Sequence, residues 1–162
     1  MPTSRVFCVL GLLLTLVTGR LVAERTVPVP LVERARGAER VVLARVVSVA
    51  PVWRHNEFGD QLIVSIARLA VDETLKGEHT GVVEVEIEGG SIGELTLRVS
   101  DLAPVVTGER GVYYLRRSRL GSFVPHLRGQ GILKLDVTDR VPGSSLTLGE
   151  IRRTVAAAAR ER

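Results

Sequence analysis

The residues best placed to do chemistry lie between Glu84 and His126. Gly89-Gly90-Ser91-Ile92-Gly93 fits the Gly-x-Ser-x-Gly pattern of a serine nucleophile, and Asp101 and His126 follow in the order of a hydrolase triad. Such a serine needs a strand before it and a helix after it, so that a sharp elbow exposes the hydroxyl. Here Leu95, Leu97 and Val99 alternate with Thr96, Arg98 and Ser100, which is a strand pattern. The glycine-rich stretch is therefore expected to be a hairpin turn, with Ser91 no nucleophile. Glu84, Glu86 and Glu88 would stand about 6.8 Å apart along one strand face. Inverting glycosidases use a similar spacing, but in a cleft where one carboxyl has a raised pKa. A solvated ladder paired with Arg98 on the next strand is the expectation, and Ca²⁺ binding is its other candidate use. His55, His79 and His126 lack zinc-ligand spacing. Gly129-x-Gly131 lacks the third glycine and the helix of a dinucleotide loop and reads as a kink or bulge. No catalytic residue, metal site or cofactor is expected.

Two groups point to binding instead. Trp53, Arg54, His55 and Phe58 fall in an expected loop, and tryptophan and arginine dominate interface hot spots. Trp53, the only tryptophan, has two readings: an exposed anchor, or a plug for one end of the core. Arg116, Arg117 and Arg119, with Arg128, surround an expected hairpin turn before Gly121. Arginines there blunt a sheet edge, or meet an acidic partner or an anionic polymer. Single-stranded nucleic acid is rejected as a partner, because the adjacent Tyr113 and Tyr114 must point to opposite faces and leave no row of stacked aromatics.

The elements that must position these groups are mostly strands. Alternation runs over Val41 to Ala50, Gln61 to Thr74, Val83 to Glu88, Leu95 to Ser100, Gly111 to Arg116 and Phe123 to Val137, the last broken at Arg128-Gly129-Gln130-Gly131. In the second strand Leu62, Val64 and Ile66 share one phase, and Leu69 and Val71 the other. A bulge near Ala67-Arg68 would put both sets inside and bend the strand as a small closed barrel requires. At the C-terminus the period changes: Leu148, Ile151 and Val155, with Ala158 or Ala159, mark an amphipathic helix, opened by a Thr147-x-x-Glu150 capping box. Val27-Pro28-Val29-Pro30 is an extended lead-in, and Leu31 to Arg40 can add a short helix.

The N-terminus bears on compartment. Arg5, the apolar run Val6 to Val17 and the small residues around Gly19 and Ala23 read as a secretory signal peptide, cleaved after Ala23 or Gly19. Arg20 interrupts the run too early for a membrane span, so no stable membrane insertion is expected. Cleavage after Ala23 removes the single cysteine, Cys8, and lowers the net charge from +4 to +2, which implies no polyanion partner. Cys8 lies too near the start for lipid attachment. The expected organisation is a signal peptide over 1–23, a lead-in over 24–40, a barrel over 41–140 and a helix over 145–162.

Several short stretches resemble the netrin-like domain shared with tissue inhibitors of metalloproteinases. They are Ala38 to Val46, Asp72-Glu73-Thr74-Leu75-Lys76-Gly77, Gly89-Gly90 and Thr107-Gly108-Glu109-Arg110, together with a Gly129-Gln130-Gly131 step of the kind that ends the barrel in small secreted bacterial proteins. The resemblance implies an all-β fold, a small five-stranded OB-fold-like Greek-key barrel, here followed by one C-terminal amphipathic helix. In such barrels the loop between the first two strands contacts ligands. The animal inhibitors place a disulfide-bonded N-terminal cysteine on the protease metal, and the mature chain has no cysteine, so no inhibitory residue carries over. Bacterial proteins of this look tend to be encoded beside secreted metalloproteases. The resulting expectation is a secreted or periplasmic, non-enzymatic module that binds another exported protein, with a metalloprotease as the candidate. Binding of an anionic envelope or matrix polymer through the arginine-rich hairpin is the alternative.

Overall fold

The computed structural model describes residues 28–56 and 58–160; the expected signal peptide and residues 24–27 of the lead-in lie outside the described residues. The chain is mostly β-sheet, with a short helix α1 (Leu31–Gly37) before the strands and a C-terminal helix α2 (Leu148–Arg160) after them. Strands β1 (Arg40–His55) and β2 (Gln61–Lys76) form an antiparallel pair of 16 residues each. β2 pairs with β3 (Val82–Glu88), which meets β7 (Phe123–Pro125) in parallel at Val85↔Phe123. β7 is antiparallel to β6 (Arg110–Arg117), and β6 returns to β1 over Arg40 to Arg45. These five strands close a ring. β8 (Ile132–Leu135) extends from β6, and β4 (Gly90–Ile92) with β5 (Leu95–Leu97) forms a separate hairpin. Among the described residues no helix is long and apolar enough to cross a membrane.

The alternation in β3 sorts as expected, with Val83, Val85 and Ile87 buried in the ring and the glutamates outward. The run Val41 to Ala44 is buried throughout because β1 is apolar on both faces. Val42, Ala44 and Val46 join Tyr113 and Leu115 inside the ring, while Val41 and Leu43 join Val112 and Tyr114 beneath the helices. Tyr113 and Tyr114 do point to opposite faces. Helix α2 buries Leu148, Ile151, Val155 and Ala158 against that outer layer. Its capping box forms, with Glu150 N donating to Thr147 Oγ1 at 3.3 Å and Thr147 N donating to Glu150 Oε2 at 2.8 Å.

Four local expectations change. The β1–β2 register slips at Val47 on β1 and at Asp72 and Leu75 on β2, not at Ala67-Arg68, and the Val47 slip moves the inward phase from Val46 to Val49. β2 keeps one inward phase through Ala67, Leu69 and Val71, so Leu62, Val64 and Ile66 stay on the outer face. β3 and β5 are not neighbours: Gly89 and Gly90, with φ of 106° and 138°, turn the chain away, and the tight turn comes at Gly93. The last strand breaks at Arg128–Gly131 as expected, but the break is a 3-10 turn rather than a kink or bulge, and the two pieces are short. Finally, β1 runs to His55, so Trp53, Arg54 and His55 lie on a strand rather than in a loop.

The 3-10 turn clasps the lead-in. Val29 N donates to Gln130 Oε1 at 2.7 Å, while Arg34, almost fully buried, donates to the carbonyls of Val29 at 2.7 Å and Gln130 at 2.9 Å. Gly129 is required by close approach, since a Cβ there would sit 1.7 Å from the Asp101 carbonyl oxygen. Lys76 Nζ donates to the Ala35, Arg36 and Ala38 carbonyls, placing a cation at the C-terminal end of α1.

Candidate functional site

Pairing with β6 ends at Arg45 and pairing with β3 ends at Val64, so the far ends of β1 and β2 project from the ring as a two-stranded tongue. Its tip is fixed by Asn56, whose Oδ1 accepts from Phe58 N and Asp60 N, both at 2.9 Å. That Asx-type turn leaves Phe58 79% exposed. Across from it the β6–β7 hairpin turns with Gly121 N donating to Ser118 O at 3.0 Å, and Leu120 stands 67% exposed. Between tongue and hairpin runs an open groove of about 360 Å³. Arg54, His55, Phe58, Leu62 and Val64 line one wall, Arg116, Arg119, Leu120 and Val124 the other. Glu86 and Glu88, on β3 between the two, form the floor, and Arg128 also lines the groove.

The charges inside are already partly matched. Arg54 Nε lies 3.7 Å from Glu86, and Arg128 reaches Glu88 at 3.2 Å. Arg128 also grips Asp101 at 2.7 and 3.1 Å, and this hydrogen bonding holds the Asp101 carboxyl below the usual carboxylate range. Glu84 stands opposite Arg68 on β2. The ladder's ion-pair partners are therefore Arg54 and Arg128, with Arg68 only facing Glu84 in register; Arg98, the expected partner, lies beyond β5 and off the β3 register. Arg116 Nη1 donates to the Arg117 carbonyl.

The two groups singled out from the sequence both divide. Arg54, His55 and Phe58 line the groove, but Trp53 opposes Ile63 and is absent from the lining. At 43% exposure it is no plug for the ring. Arg116, Arg119 and Arg128 line the groove, whereas Arg117 stacks 4.4 Å over Phe123 and pairs with Glu39 at 3.3 Å. With Arg40 on the same ring at 4.8 Å, Arg117 serves the scaffold where β7 begins. Sequence reasoning missed Leu62, Val64, Glu86, Glu88 and Leu120 as groove residues. The out-of-phase Leu62-Val64-Ile66 set was the signal: a second apolar surface, misread as a slip.

The formal triad does not assemble a site. Ser91 Oγ shares a 2.8 Å hydrogen bond with Thr96 Oγ1 on the β4–β5 hairpin, and Asp101 is held by Arg128. His126 packs on α1, close enough that a Cβ on Gly37 would fall 2.3 Å from its Nε2. Its Nδ1 is buried with no hydrogen-bond partner, and burial, aided by the Arg116 and Lys76 cations, lowers its pKa. Among the described residues no three histidine, aspartate or glutamate side chains gather as a metal site. No family model and no curated protein matches the chain.

Proposed function

We propose that the protein is an exported, non-enzymatic binding module that takes a segment of another protein in the groove between its two hairpin tips. The observation that carries this is the pair of exposed apolar tips, Phe58 and Leu120, lining one charged groove on a rigid ring. Fixed turns hold both side chains out in water at a cost that a bound partner would offset. The order β1-β2-β3-β7-β6, closed by the β1–β6 pairing and with one parallel contact, supports an OB-fold-like Greek-key barrel. In that fold the β1–β2 connection is a ligand-contacting element, which agrees with the tongue. The resemblance to netrin-like domains makes a secreted metalloprotease the candidate partner. An anionic polymer is the weaker reading, because Arg117 is spent on Phe123 and two glutamates line the groove. Affinity capture from the exported fraction, comparing the native protein with a Phe58→Asp/Leu120→Asp variant, tests the proposal. A specific protein retained by the first and lost by the second is expected. Identical recovery by both would overturn it.

A further inference from the structure

Resting on that reading, the geometry points to the chemistry of the occupant: an extended segment of a protein partner that alternates acidic and apolar side chains. The groove lining carries Arg54, Arg116, Arg119 and Arg128 against Glu86 and Glu88, an excess of two positive charges apart from His55. The arginines differ in what they can offer. Arg128 is held by two carboxylates at once. Arg54 meets Glu86 only at 3.7 Å with its side chain 54% exposed, and Arg116 donates to a backbone carbonyl. Both can therefore receive a partner carboxylate while losing little.

Charge alone does not describe the lining. Leu62, Val64, Phe58 and Leu120 place apolar surface on both walls, and two glutamates occupy the floor. A uniformly anionic chain would drive like charges past Glu86 and Glu88 and leave the apolar walls unfilled. In an extended segment, alternate side chains share a face at about 6.8 Å spacing, so acids and apolar groups separate onto two sides. Each wall offers an arginine beside an exposed apolar tip, Arg54 with Phe58 and Arg116 with Leu120, so a segment carrying both kinds of side chain can meet both.

The test uses fluorescein-labelled octapeptides in anisotropy titrations: aspartate alternating with leucine, lysine alternating with leucine, and all-aspartate. The aspartate–leucine peptide is expected to bind saturably and at least about tenfold more tightly than the other two, a difference of about 1.4 kcal/mol. Arg116→Glu should weaken it about tenfold, and Phe58→Ser should weaken it without changing its salt dependence. Glu86→Gln should tighten binding by releasing Arg54, a gain that no folding defect can mimic. Equal binding of the lysine peptide, or no response to Arg116→Glu and Glu86→Gln, would overturn the inference. So would all-aspartate binding as tightly as the mixed peptide, which would favour an anionic polymer. If the Phe58/Leu120 variant loses the captured partner while the peptides ignore the arginines, the chemistry assigned to the occupant fails and the groove stands. Unchanged capture would remove the groove itself.

Discussion

Gly129→Ala isolates the close approach that holds the end of the groove together. Gly129 does not need a left-handed backbone, so alanine is conformationally acceptable, and the whole effect must come from contact. The added Cβ would lie 1.7 Å from the Asp101 carbonyl oxygen, half the 3.4 Å at which ordinary contact begins. The neighbour is backbone and cannot swing aside, so the 128–131 turn and the 99–102 segment must part by more than 1 Å, roughly speaking. Overpacking of this kind costs about 1–3 kcal/mol, and the exposed Arg128–Asp101 pair that spans the gap adds about 0.2–1 kcal/mol. A loss of about 2–4 kcal/mol should lower the urea midpoint by about 1–2 M. Gly121→Ala is the control: with φ at 92° and no atom within 4 Å of a Cβ, it carries only the left-handed cost of about 1 kcal/mol. Should Gly129→Ala prove no worse than Gly121→Ala in urea titration, the close-approach argument is refuted.

Three other outcomes are expected. His126 has a folded pKa below its usual value, so the unfolded chain binds the proton more readily; stability should be full at pH 7.5 and fall as pH drops through about 6.5. His126→Gln should flatten that slope in urea midpoints measured between pH 7.5 and 5.5, and an unchanged slope would contradict it. Ile151→Ala, at a fully buried position between α2 and the ring, should cost about 2–4 kcal/mol by the same titration. Trp53, at 43% exposure, should emit at long wavelength and be quenched by acrylamide in the native protein, and a blue-shifted, protected emission would argue for burial.

How much was legible from the sequence depended on whether a signal was local. Val83, Val85 and Ile87 against Glu84, Glu86 and Glu88 specified β3 outright, and Thr147 with Glu150 specified the start of α2. Pairing partners were not legible, because Gly89 and Gly90 can form a hairpin turn or turn a strand out of the sheet with the same residues. Only long-range contact of Gly90 with Pro51, Ile63 and Ser65 decides between them. The site was half visible. Aromatic and arginine residues at 53–58 and 116–128 stood out, but which face residues 53–55 took depended on the Val47 slip, and strand alternation then set Trp53 and Arg54 on opposite faces. The floor glutamates stood out as a ladder, yet their partners are Arg54 near the end of β1 and Arg128 on the 3-10 turn, both distant in sequence.

The first strand has a consequence for how the molecule comes apart. Val41 to Val46 is one wall of two apolar compartments, the ring interior and the layer under the helices, and β6 shares that duty through Val112 to Leu115. Neither compartment can open without stripping a face from the same two strands, so ring and helices should melt in one transition rather than two. The backbone amides of 41–46 and 112–115 should then be the slowest to exchange with deuterium. Deleting α2 would do more than shorten the chain: it would bare Val41, Leu43, Val112 and Tyr114 together, a sticky flank on an otherwise closed wall.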